Sequence, residues 1–60
     1  MFIDLTLDND SINRRYLIAV DDISVVEEAG EGSYIMLKSG GCLSVKESID
    51  YVKSLLNVVG

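Results

Sequence analysis

Residues 14–28, RRYLIAVDDISVVEE, decide the fold. Arg14 to Val20 is rich in β-branched and aromatic residues, which suit a pleated, half-buried surface. Asp21-Asp22 then interrupts the run, because short carboxylate side chains bond to nearby backbone in turns. Ile23 to Glu28 resumes the extended pattern. The stretch therefore predicts two strands with a corner between them.

Working outward, Phe2 to Leu7 alternates strictly, with Ile3, Leu5 and Leu7 on one side and Phe2, Asp4 and Thr6 on the other. Asp8-Asn9-Asp10-Ser11 is turn chemistry and should close a hairpin. On the C-terminal side, Ala29-Gly30-Glu31-Gly32 supplies a reversal, and Ser33 to Lys38 alternates Tyr34, Met36 and Lys38 against Ile35 and Leu37. Ser39-Gly40-Gly41 turns the chain again before a short strand over Cys42 to Val45. From about Ser48 the period becomes helical, and Ile49, Val52, Leu55, Leu56 and Val59 share one face. Ser48 is the expected N-cap, with a capping box of Ser44 and Glu47 as the alternative start. The predicted fold is α+β: one domain over residues 1–60, with a small antiparallel sheet of four to five strands and one C-terminal helix packed on it.

Sixty residues hide only about 60% of the unfolded surface on folding, so a chain this short needs a supplement to its core. A single cysteine, Cys42, cannot close an internal disulfide, and with no histidine and no second cysteine no zinc site is expected. Oligomerisation is left. A hydrophobic content of 48% and a mean hydropathy of +0.29 point the same way. Apolar side chains fall on both faces of the sheet, and one helix covers one face. The second face then needs a partner copy, unless the sheet curls so strongly that both sets enter one small barrel core.

The net charge is −5, which repels nucleic acids and anionic membranes at long range. The first residues lack a signal-peptide pattern, no apolar run approaches a membrane span, and a lone cysteine fits a reducing compartment. A cytoplasmic protein is expected.

Catalysis finds little material, since no histidine is present and no serine has an activating partner in view. The carboxylate pairs Asp8/Asp10, Asp21/Asp22 and Glu27/Glu28 lie at turns or strand ends, where a structural role is expected. Asp8-Asn9-Asp10 opens like a calcium loop, but Ile12, Asn13 and Ala19 stand where a ligand, a glycine and a glutamate belong. The chain is expected to be no enzyme, with no catalytic residue, metal or cofactor.

Arg14-Arg15-Tyr16 sets two of the five cationic residues beside an aromatic ring. Guanidinium groups grip phosphates, and an aromatic ring stacks on a base. Tyr34 and Lys38 are read on the same face as Met36. Arg14, Arg15, Tyr16, Tyr34 and Lys38 are thus the candidate ligand-binding residues for a small anionic nucleotide. The competing reading makes Arg14 and Arg15 solvated charges at a strand start and puts Tyr16 and Tyr34 in the core.

Ile23 to Glu27, Tyr34 to Gly41 and the V-K-E-S element at Val45 to Ser48 resemble the small bacterial and phage proteins related to the flagellar and swarming protein FlbD. That likeness implies a motility or regulatory module binding other proteins. The V-D-D-I corner at Val20 to Ile23, with the same V-K-E-S element, resembles the first half of LytTR DNA-binding domains, which are longer. That implies a transcriptional DNA binder, against the acidic net charge. In size and design the chain is also similar to phage sponge proteins, oligomers that sequester cyclic nucleotide immune signals at subunit interfaces. The leading expectation is such a sponge, acting in the host cytoplasm to evade immunity. A protein-interaction module is the alternative.

Overall fold

The computed structural model describes the backbone of residues 1–9 and 12–59 and the side chains of residues 1–8 and 14–58. The strands are β1 (Phe2–Asn9), β2 (Ile12–Ala19), β3 (Ile23–Ala29), β4 (Gly32–Leu37) and β5 (Cys42–Val45). Helix α1 (Ile49–Val59) ends the fold, and a 3-10 turn over Val20–Asp22 joins β2 to β3. They form the expected α+β fold, a five-stranded antiparallel sheet with one C-terminal helix. Of the turn expected over Asp8–Ser11, Asp8 and Asn9 belong to strand β1, and residues 10 and 11 lie outside the described residues. So do the carboxylate of Asp10 and the calcium-loop likeness that includes it.

The strand order is β2-β1-β5-β4-β3, so the two edge strands are consecutive in the chain. In a flat sheet they would stand four spacings apart, about 19 Å. From Ala19 to Ile23 the chain reaches at most about 14 Å, and less through a 3-10 turn. The sheet must therefore roll. Asp22 fixes the turn: its carboxylate accepts hydrogen bonds from Ser39 N–H (3.1 Å) and the Ser39 hydroxyl (2.9 Å). Lys38 N–H donates to the Asp22 carbonyl at 2.6 Å. Asp21-Asp22 is thus the predicted corner.

Rolling makes one side of the sheet an interior. Ile3, Leu5, Ile18, Ile35, Val45 and Val52 form the buried core, with Val26, Leu37, Leu55 and Leu56 packed around it. The sheet curls, but it does not bring both sets of apolar side chains into one core, since Leu17, Val25 and Met36 stay exposed. The helix begins where expected, since Ser48 Oγ accepts from Tyr51 N–H at 3.2 Å. Val52 carries the apolar face to the centre of the core, with Ile49, Leu55 and Leu56 half-buried beside it. The Val59 side chain lies outside the described residues.

The capping box does not form, because Glu47 is used elsewhere. Strand β1 pairs with β5 at Leu7 and Val45, and the chain then departs towards the helix. Two backbone donors extend the seam past that point. Lys46 N–H donates to the Thr6 carbonyl at 2.9 Å. The Thr6 N–H donates to both Glu47 carboxylate oxygens, at 2.9 and 3.0 Å. A carboxylate thus completes the ladder in place of a strand carbonyl. The fully buried Ser33 donates its hydroxyl to the Glu47 carbonyl at 2.8 Å, which ties β4 to the same residue.

Two glycines have steric causes. Gly30 has φ +60° in the β3–β4 hairpin, as the primed turns of two-residue hairpins require. A Cβ on Gly32 would stand 2.2 Å from the Val45 carbonyl oxygen, so β4 can start beside β5 only without a side chain there.

Glu47→Ala should lower stability by about 1.5–3 kcal/mol, the usual loss for a hydrogen bond to a charged group, and Glu47→Gln by less because an acceptor remains. Urea unfolding checks this, and an unchanged midpoint in Glu47→Ala would remove the seam from the account.

Candidate functional site

Strand alternation divides the exposed side chains into an outer and an inner set. On β1 and β2 the outer cross-strand pairs are Phe2 with Ala19, Asp4 with Leu17 and Thr6 with Arg15. On the other half they are Val25 with Met36 and Met36 with Cys42, then Glu27 with Tyr34 and Tyr34 with Ser44. The inner pairs are Ile3 with Ile18, Leu5 with Tyr16 and Val26 with Ile35; Ile3, Leu5, Ile18 and Ile35 are buried and Val26 is half-buried, while Tyr16 is exposed.

Among the described residues, four large apolar side chains of the strands stay exposed on the outer surface: Phe2 at 62%, Leu17 at 71%, Val25 at 47% and Met36 at 39%. Each belongs to a strand whose next residue turns inward, so the pattern that builds the core also presents them outward.

The five candidate ligand residues are distributed rather than gathered. Arg14 and Arg15 are adjacent on β2 and so point to opposite sides of the sheet. Arg15 is outer, and its guanidinium forms a two-pronged ion pair with Asp4, with Nε donating to Oδ1 at 3.3 Å. Arg14 and Tyr16 lie opposite Leu7 and Leu5 on the inner side, yet both are exposed because β2 is an edge. Tyr34 is outer, on β4, with β1 and β5 between it and β2. Lys38 does not project from the strand beside Tyr34 and Met36, since β4 ends at Leu37 and Lys38 lies in the following turn. Its N–H is directed to Asp22 instead.

Tyr34 has a defined local chemistry. Its hydroxyl donates to Cys42 Sγ at 2.8 Å, across the β4–β5 pair. That bond first, then the charge the thiol acquires on ionising, then burial and the nearby Glu27, raise the phenol pKa above its ordinary 10.0.

Clefts open among the described residues. One, of about 220 Å³, lies between Val26 of β3 and the helix residues Ile49, Val52, Lys53 and Leu56. Another, of about 400 Å³ and more polar, is bounded by Asp8, Ala29, Glu31, Gly32 and Lys46. Among the described residues no three His, Cys, Asp or Glu side chains are placed to hold a metal ion, and no helix is long and apolar enough to cross a membrane. Glu47 and Asp22 were not picked out by sequence reasoning for the bonds they make. The V-K-E-S spacing and the position of Asp22 beside a β-rich run were the available signals.

Comparison with protein-family models, with characterised proteins and with solved structures returns no match for this chain.

The raised phenol fixes a sign. The hydrogen-bonded form of Tyr34 contributes stability that is complete below pH 10 and is lost as pH rises through its higher folded value. A carbon NMR titration of the tyrosine rings should show Tyr34 ionising above pH 10, and Cys42→Ala should bring its midpoint down. A midpoint that Cys42→Ala leaves in place would refute the contact.

Proposed function

We propose that this protein is a non-catalytic binding module that acts in the cytoplasm by associating with copies of itself and with a protein partner, as the motility proteins it resembles suggest. The supporting observation is the outer set of Phe2, Leu17, Val25 and Met36. These side chains remain exposed although the core is already closed by Val52 and the rolled sheet. Apolar surface of this kind on a small soluble domain is what association removes from water, at about 25 cal/mol per Å².

Nucleotide capture in the manner of a phage sponge draws less support. Its five residues sit on two separated strands and a turn, Arg14 and Arg15 face opposite ways, and Arg15 already grips Asp4. A phosphate would have to share that guanidinium with Asp4. DNA binding has weaker support still, given the net charge of −5.

Sedimentation equilibrium should give a mass above the 6.6 kDa of one chain at micromolar concentration. A stable, strictly solitary chain would discard the reading. A panel of cyclic di- and trinucleotides should leave Tm unchanged. A rise in Tm that grows with nucleotide concentration would favour sequestration instead.

A further inference from the structure

The edge strands of the sheet carry opposite charge in matching order. Strand β2 reads Arg14-Arg15-Tyr16-Leu17, and β3 reads Val25-Val26-Glu27-Glu28. Each has one hydrogen-bonded neighbour, β1 for β2 and β4 for β3, so each leaves a row of backbone groups unpaired in the sheet. The chain is acidic overall, yet two of its five cationic residues stand on one edge. Among the described residues no ion pair engages Arg14, Glu27 or Glu28, and all three are exposed.

We propose that the chain assembles head to tail, with β2 of one copy pairing antiparallel to β3 of the next. This rests on the reading that the protein self-associates, and it names the surfaces. One register satisfies every position at once. It sets Arg14 opposite the next copy's Glu28, Arg15 opposite its Glu27, Tyr16 opposite its Val26 and Leu17 opposite its Val25. Faces agree as well as charges. Arg15 and Leu17 are outer on β2, and Glu27 and Val25 are outer on β3. A slip of one residue would turn each pair to opposite faces. Parallel pairing would set Arg14 and Arg15 beside valines. Pairing like edges across a two-fold axis would crowd four arginines or four glutamates together, which cross-strand repulsion opposes.

The inner row of the same register meets a cavity. Val26 walls the cleft of about 220 Å³ against Ile49, Val52, Lys53 and Leu56. An apolar cavity of about 150 Å³ holds a benzene ring. The half-exposed ring of Tyr16, set beside the next copy's Val26, is placed to enter it. The Arg15 pair with Asp4 is solvent-exposed, with 73% and 39% of the two side chains accessible, so it is weak enough to be shared with a second carboxylate. Because the two surfaces differ, an open array keeps a free β2 edge at one end and a free β3 edge at the other, and only a closed ring pairs both edges of every copy.

The test is charge reversal in trans. Arg14→Glu/Arg15→Glu gives a chain with two acidic edges, and Glu27→Arg/Glu28→Arg one with two basic edges. Sedimentation velocity should show each alone as a single chain with unchanged far-UV circular dichroism. An equimolar mixture should recover wild-type size with the two chains alternating. If either variant alone keeps the wild-type size, or the folded variants fail to associate on mixing, the pairing is wrong. A wild type that is itself a single chain would instead overturn the self-association reading beneath it. If a reversed variant does not fold, Leu17→Cys and Val25→Cys are made separately in a Cys42→Ser chain. Oxidation should link the two variants when mixed and link neither to itself. Self-linking of either, or no linking in the mixture, would also overturn the proposal.

Discussion

Three residues between the two edge strands constrain everything else in this fold. Val20, Asp21 and Asp22 cannot bridge the width of a flat five-stranded sheet, so the sheet rolls. The roll decides which side of each strand becomes interior, and Leu5, Ile18, Ile35 and Val45 follow from it. It also decides what stays outside. Val25 is as apolar as Val26, and Met36 is apolar too, but alternation puts them on the convex side. The same constraint leaves β2 and β3 as edges, so a polar backbone row and an apolar outer set occur on one small surface.

Holding the rolled sheet together falls to a few polar groups. Asp22 bonds the 3-10 turn to Ser39, and Glu47 takes the Thr6 N–H where β5 leaves β1. Ser33, fully buried, is satisfied by the Glu47 carbonyl. These carboxylates are already occupied by backbone donors and hydroxyls. They read as structural, and the V-K-E-S element is where the sheet hands over to the helix rather than a binding motif.

Strand positions were legible from alternation, and the helix start from Ser48, because both are set by neighbours within a few residues. Lys38 was assigned to the strand on alternation alone, and the long-range bond from its N–H to Asp22 shows the chain already turning. The role of Glu47 was hidden because its partner Thr6 lies on the first strand. The edge identity of β2 and β3 was also hidden, since strand order depends on pairings spread along the chain. In the sequence Arg14-Arg15 reads as a phosphate grip and Glu27-Glu28 as a carboxylate pair at a strand end. Only the strand order makes them two ends of one complementary set.

The central claim is that the β2 and β3 edges are unpaired within one chain and become paired between chains. Amide hydrogen exchange measured across a range of protein concentrations tests it residue by residue. The account predicts that outward-pointing amides of β2 and β3 gain protection as concentration rises, while those of β1, β4 and β5 keep theirs. Edge amides already fully protected in dilute solution, or unprotected at every concentration, would contradict it.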